Sequence, residues 1–235
     1  MRNLVLLVLL GLVAAGCAAG PEPRDPYEAT NRTVFDFNMT VDRLALRPTA
    51  ERYNAYVPEW ARDGVHNALD TLQQPVVFAN DVLQGAPSRA GETAARFLTN
   101  ATLGVGGLVD VASRVGFAGH EEDFGQTLAV WGVDEGPFVM LPFLGPSNPR
   151  DAVGLGVDVA LDPTNYIRVK RHVFWSGVHL YGKVLDARSR NLEVLDGIER
   201  DSLDFYATVR SLYRQHRASE VRNGMPAPAE PPLTE

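Results

Sequence analysis

Four prolines fall within the nineteen residues from Gly136 to Gly154, in a stretch that is otherwise strongly apolar. It reads Gly-Pro-Phe-Val-Met-Leu-Pro-Phe-Leu-Gly-Pro-Ser-Asn-Pro-Arg-Asp-Ala-Val-Gly. Pro137, Pro142, Pro146 and Pro149 each remove a backbone donor and fix φ near −65°, so no helix can run across them. Each also pushes the preceding residue into extended geometry. Between Pro137 and Pro146, Phe138, Val139, Met140, Leu141, Phe143 and Leu144 are apolar at both parities, whereas a half-buried strand would alternate. The sequence therefore predicts a proline-stiffened loop or tight hairpin that must hide both faces, in a core or in lipid. A helix start should follow it. Asn148 suits the N-cap, Pro149 the first helical position, and Asp151 the first turn, where the helix dipole favours a carboxylate.

The 235-residue chain is long enough to bury a sizeable core as one domain. It carries a net charge of −7 and only two lysines, Lys170 and Lys183. Without a basic run it has no means of neutralising a phosphate backbone, which argues against nucleic acid as a partner. A single cysteine, Cys17, excludes an intramolecular disulfide and a zinc site built on several thiolates.

Arg2 precedes the apolar run Leu4–Val13, and Ala14-Ala15-Gly16 leads into Cys17. This is the pattern of a secretory signal: a charged start, an apolar run and small residues at the cleavage zone. The run is shorter than the roughly 20 residues that a membrane span needs. A cysteine directly after Ala-Ala-Gly resembles a bacterial lipobox, which makes Cys17 the expected lipidation site and first mature residue. Ala14 stands where leucine is usual, and Ala18 is not the aspartate that favours inner-membrane retention in enteric bacteria. Acyl chains contribute about 0.8 kcal/mol per buried CH₂, so several give firm anchoring. The expected organisation is a signal peptide over 1–16, a tether over 17–25, one helical domain over 26–224 and a disordered, Pro/Ala/Glu-rich tail over 225–235.

Helical spacing dominates the rest. Val34, Phe35, Phe37, Val41 and Leu44 predict a helix to about Leu46, ended by Arg47-Pro48. Pro58 starts another, with Ala61, Val65, Ala68, Leu69 and Leu72 as its apolar face, closed at Gln74-Pro75. Pro75 then begins a short helix ending at Gly85. Ser88 caps a helix whose face is rich in alanine. Asp123-Phe124-Gly125 opens a helix reaching Gly132. From Ala152 to Leu161 the pattern is apolar nearly all round, which describes a helix that is buried or faces lipid. Val173 to Leu185 forms an aromatic-rich helix. Leu192 to Tyr213 forms one long amphipathic helix, with Arg200, Arg210, Arg214 and Arg217 on or near its other face and Gly224 at its end.

No catalytic constellation emerges. Gly104-Val105-Gly106-Gly107 lacks the Gly-Lys-Ser/Thr of a phosphate loop. Gly145-Pro146-Ser147-Asn148 approaches a nucleophile elbow, but Pro149 replaces the second glycine, so Ser147 and Asn148 read as helix-capping residues. His66, His120, His172, His179 and His216 make no zinc spacing. His120-Glu121-Glu122-Asp123 reads as a solvated loop and helix start rather than a cation site. No catalytic residue, metal ligand or cofactor is expected.

An ordered set of blocks resembles the MlaA (VacJ) lipoproteins of Gram-negative bacteria. It comprises Asp25-Pro26-Tyr27-Glu28, Phe35-Asp36-Phe37-Asn38, Asn100-Ala101-Thr102-Leu103-Gly104, Asp123-Phe124-Gly125-Gln126-Thr127-Leu128, Gly136-Pro137-Phe138 with Leu141-Pro142-Phe143-Leu144-Gly145-Pro146, and Ser211-Leu212-Tyr213. The resemblance implies a mainly α fold: a ring-like multi-helix domain with a central amphipathic channel and a short proline-rich apolar hairpin. It places the protein in the periplasmic leaflet of the outer membrane, anchored through Cys17. Its implied partners are outer-membrane phospholipids, a trimeric porin and a soluble periplasmic lipid carrier. Gly136, Pro137, Phe138, Leu141, Pro142, Phe143, Leu144, Gly145 and Pro146 would form a lipid-contact hairpin beside the channel. The expected activity is removal of misplaced outer-leaflet phospholipid, without bond cleavage. The competing expectations are a lipid-anchored phospholipase using Ser147 and a structural scaffold lipoprotein.

Overall fold

The computed structural model describes residues 25–166, 172–223 and 225. The signal peptide, Cys17, most of the tether, Gly224 and nearly all of the tail lie outside the described residues. The elements in chain order are α1 (Glu28–Val41), a π-helical turn (Asp42–Leu46), α2 (Arg47–Tyr56), α3 (Glu59–Leu83), α4 (Pro87–Thr102), α5 (Val111–Arg114) and α6 (Phe124–Val130). There follow β1 (Val139–Leu141), β2 (Gly145–Ser147), α7 (Pro149–Leu161), a 3₁₀ turn (Pro163–Tyr166), α8 (His172–Arg190), α9 (Leu192–Asp201) and α10 (Phe205–Val221). The fold is mainly α, and among the described residues no helix is long and apolar enough to cross a membrane.

Local capping fixes several helix starts. The Asp123 carboxylate accepts the Gln126 N–H at 2.9 Å, Asn148 accepts the Asp151 N–H at 2.8 Å, and Asp204 accepts the Ala207 N–H at 3.1 Å. Each satisfies a donor that a helix N-terminus leaves unpaired.

Four helix boundaries differ from the sequence expectation. Pro48 does not end the first helix. The preceding turn widens to π geometry, the Arg47 N–H reaches back to the Asp42 carbonyl, and the chain continues helically to Tyr56. The wide turn is tied down from outside, because Arg188 grips the Asp42 carboxylate at 2.8 and 3.1 Å. Pro75 likewise lies inside α3, where packing against α4 outweighs the lost hydrogen bond. The expected long C-terminal helix is two, because Ser202 turns extended and Asp204 restarts the chain as an N-cap. At the start of α4 the N-cap is Ala86, and Ser88 falls inside the helix.

The interior is unusually polar. Nine hydrophobic residues are buried against nineteen polar or charged ones, while thirty large hydrophobics are exposed among the described residues. α3 shows the inversion most clearly. Thr71, Gln74, Asn80 and Asp81 are buried, whereas Trp60, Val65, Leu72, Phe78 and Val82 point outward. Exposed apolar residues are normal when scattered, but an apolar exterior over a polar interior marks a surface built for something other than water.

One compact aromatic cluster stands apart. Phe35, Phe138, Met140 and Tyr206 pack together, with the Phe35 and Tyr206 rings edge-on at 5.6 Å. Asp25, which the sequence places in the tether, is fully buried beside them. It accepts from the Tyr206 hydroxyl at 2.5 Å, Arg210 at 2.7 Å and Asn31 at 2.8 Å.

Candidate functional site

The proline-rich stretch forms an antiparallel hairpin with Val139 opposite Ser147, Met140 opposite Pro146 and Leu141 opposite Gly145. Its three-residue loop puts Phe143 at φ 65° and is followed by Gly145 at φ 84°. A bulky residue in the left-handed region needs support from its surroundings. The support comes from α1. The Asn38 side chain accepts the Phe143 N–H at 2.8 Å and donates to the Leu141 carbonyl at 2.9 Å. Seven residues earlier, on the same helix face, Asn31 accepts the Met140 N–H at 2.9 Å and donates to the Phe138 carbonyl at 3.0 Å. Asn31 thus serves the backbone of β1, and Asn38 that of the turn after it. Phe37 adds an edge contact to Phe143 at 5.1 Å.

The nine hairpin residues divide between two environments. Phe138 is 1% exposed within the aromatic cluster, while Phe143 at 68% and Leu144 at 51% stand out at the tip. Gly136 and Pro137 lead in half-buried, Pro142 is exposed, and Leu141, Gly145 and Pro146 are half-buried. Ser147 is buried, and its hydroxyl bonds to the Asn148 carbonyl at 3.3 Å, a contact that orders the turn into α7.

Behind the hairpin, three cavities adjoin one another. The first, of about 220 Å³, lies between Leu141, Leu144, Pro146, Leu155, Asp158 and Arg217. The second, of about 240 Å³, is bounded by Gln73, Leu155, Asp158, Asp162, His179 and Lys183. The third, of about 340 Å³, is bounded by Gln73, Asp70, Glu121, Asp123, Lys183 and Asp186. Leu155 and Asp158 line the first two, Gln73 and Lys183 the last two, and Asp123 and Glu220 the first and last. The three cavities share these walls, carry both polar and apolar side chains, and lie among α3, α6, α7, α8 and α10.

Arg217 is the strut of this region. It grips both Asp123 oxygens at 2.6 Å, reaches Asp151 at 2.8 and 3.1 Å, and contacts Glu220 at 3.0 Å. Asp123 caps α6 and Asp151 sits in the first turn of α7, so one guanidinium joins both helix N-termini to α10. Burial pushes the Asp151 carboxyl up, but Arg217 and the Tyr213 hydroxyl outweigh it and hold the group below the usual range. The α6–α7 crossing is close: a Cβ at Gly154 would lie 2.4 Å from the Gly125 nitrogen.

Asp158 accepts from the Phe124 N–H and Asn80, yet burial pushes its carboxyl up. Lys183 donates to Gln73 and has no ion-pair partner among the described residues. Burial lowers its affinity for a proton, partly offset by Asp162, Glu121, Asp158 and Asp70.

The His120–Asp123 segment departs from the expected solvated loop. Glu122 is buried against Arg89, and His120 lies 3.0 Å from the fully buried Asp81. Among the described residues no group of histidine, cysteine or carboxylate side chains is arranged to hold a metal ion.

Sequence reasoning brought the hairpin and Asn148 to notice but missed Lys183, Asp158, Asp162 and Gln73 as neighbours. The available signal was a single lysine placed between Gly182 and Val184 in an aromatic-rich helix.

Outward apolar helix faces, a hairpin held by side-chain amides and cavities with mixed walls define a mainly α domain of distinctive build. A family model described as the MlaA lipoprotein matches residues 23–220, and the chain belongs to that family. The intermembrane phospholipid transport system lipoprotein MlaA of Escherichia coli is 33% identical over 241 residues, covering 98% of this chain and 93% of that protein. The Haemophilus influenzae protein of the same name is 33% identical over 240 residues, covering 94% and 91%. A protein of Rickettsia bellii is 36% identical over 202 residues, covering 86% and 78%. A solved structure from work on the structural basis for maintenance of bacterial outer membrane lipid asymmetry aligns with a TM-score of 0.71 at 36% identity. It covers 84% of this chain and 98% of that chain.

Proposed function

We propose that this chain is an outer-membrane lipoprotein of a Gram-negative bacterium that withdraws misplaced phospholipid from the outer leaflet and passes it inward. The observation that carries the reading is the set of cavities with shared walls behind the hairpin, which we read as one amphipathic passage, beneath helices that turn many large hydrophobics outward. An apolar rim suits the inner-leaflet acyl chains. A head group needs a wet path, and Lys183 offers an uncommitted ammonium to its phosphate. Such charge-assisted contacts are the strong ones in a partly desolvated site. The exposed, apolar tip residues Phe143 and Leu144 suit contact with acyl chains beside the entrance. The names of the relatives from E. coli and H. influenzae support the same transport role.

Anchoring falls to acyl chains on Cys17. No bond is broken, so the mechanism calls for no cofactor. Direction comes from a soluble periplasmic carrier with higher affinity for the lipid, because a passage binding both ends equally moves no equilibrium. A trimeric porin is the fitting neighbour for a protein confined to one leaflet.

The test is complementation of a cell lacking this chain, with surface-exposed phospholipid quantified chemically. Wild type should restore asymmetry, while Leu141→Asp and Phe143→Asp, though expressed and anchored, should not. Restoration by both variants would refute the hairpin's part. Release of lysophospholipid or free fatty acid by the pure protein would favour the phospholipase reading.

A further inference from the structure

We propose that the passage selects phospholipids with a zwitterionic amine-bearing head group over anionic ones; this rests on the transport reading above. The argument starts from Lys183, which lines two of the three cavities. One of its three protons goes to Gln73, and no carboxylate lies within ion-pair distance of it among the described residues. A phosphodiester entering here meets the one open ammonium of the passage among those residues.

That ammonium is surrounded by negative charge. Asp158 and Asp162 line one cavity with it, and Asp70 and Glu121 line the other. Two of these are already engaged: Asp158 by Asn80 and the Phe124 N–H, and Asp70 by Arg96 at 3.4 Å. Two are open. Asp162 uses one oxygen to accept the Thr164 N–H at 2.8 Å, and its other oxygen has no hydrogen bond among the described residues. The Glu121 carboxylate has no partner among them either. The other titratable groups lining these two cavities are His179, whose proton affinity burial lowers, His66 and His120, engaged by Asp186 and Asp81, and four carboxylates paired with arginines: Glu122 with Arg89, Asp186 with Arg190, and Asp123 and Glu220 with Arg217.

A phosphate on Lys183 cancels the single positive charge and leaves Asp162 and Glu121 opposite an anion. A phosphoethanolamine head group carries its own ammonium two carbons from the phosphate, so it answers both signs at once. A glycerol head group or a second phosphate leaves like charges facing one another, which disfavours the wrong ligand more than it rewards the right one. Val76, Leu155, Val159 and Leu180 supply the apolar wall on the glycerol side.

The experiment uses the full-length chain, purified in mild detergent and incubated with nanodiscs of equal phosphatidylethanolamine and phosphatidylglycerol bearing identical acyl chains. Bound lipid is then extracted and quantified by mass spectrometry. Wild type should hold the amine lipid in about fivefold excess, the ratio that about 1 kcal/mol produces. The double variant Glu121→Gln/Asp162→Asn should fall to parity with total bound lipid retained, and Lys183→Gln should lose both lipids together. Parity in wild type, or an unchanged ratio in the double variant, would overturn the selectivity. Absence of any bound phospholipid would instead overturn the transport reading beneath it.

Discussion

Replacing Arg217 with methionine tests the strut of the passage. Methionine keeps much of the apolar stem and removes the guanidinium. Five hydrogen bonds to three carboxylates disappear. The Arg217 and Asp151 side chains are only 8% and 10% exposed, so Asp151 loses its main counter-charge where water cannot replace it. Removing one partner from a buried network costs roughly 3–5 kcal/mol. Asp123 is 36% exposed and regains water, and Arg150 and Tyr213 still hold Asp151, so about 3 kcal/mol is the fitting figure. For a domain of this size that lowers Tm by about 6–12 °C. The assay is thermal unfolding in mild detergent, followed by far-UV circular dichroism. Arg217→Lys should fall between the two, because one ammonium cannot grip both carboxylates bidentately. A Tm for Arg217→Met within about 2 °C of wild type would refute the strut, since that shift corresponds to under 1 kcal/mol.

The hairpin clamp predicts a graded pair. Asn31→Ala strands the buried Met140 N–H and should cost about 2–3 kcal/mol. Asn38→Ala, nearer solvent, should cost about 1 kcal/mol and speed amide exchange at Phe143, both read by denaturation and hydrogen exchange. At the α6–α7 crossing, Gly154→Ala should abolish the folded yield while Gly156→Ala, which has open space, should be tolerated; equal yields would discredit the close approach. Acid stability has a defined sign at Asp110. Burial alone would raise its carboxyl, but Ser113, Asn100 and Arg96 hold it down to about 2. A lowered carboxyl stabilises the fold fully above its unfolded value of about 3.9, and the contribution fades as pH falls toward 2. Asp110→Asn should therefore lower Tm at pH 6 and bring it close to wild type near pH 2.

What the sequence discloses is local. Asp123 and Asn148-Pro149 announce helix starts because capping is settled within four residues, and the prolines around Phe138 announce a hairpin because φ is fixed one residue at a time. Pro48 and Pro75 mislead for the converse reason. Whether a helix survives a proline depends on partners far along the chain, such as Arg188 on Asp42, 146 residues away. Periodicity shows that Val65, Leu69 and Leu72 share a face of α3, but not which side of the molecule that face meets, and here Val65 and Leu72 point outward. The passage is hidden for the same reason. Gln73, Asp158, Asp162 and Lys183 come from α3, α7 and α8 and their flanking turns, and only packing makes them neighbours.

The two amides on α1 have a further consequence. An isolated two-stranded ribbon offers unpaired N–H and C=O groups along its edges, which invites other chains to add strands. In hydrocarbon such an edge is not viable, because nothing there can take the place of water. Asn31 meets the β1 edge from within the same molecule at Phe138 and Met140, and Asn38 meets the turn at Leu141 and Phe143. A hairpin supplied in this way from its own helix offers a neighbouring backbone fewer open groups on which to add a strand.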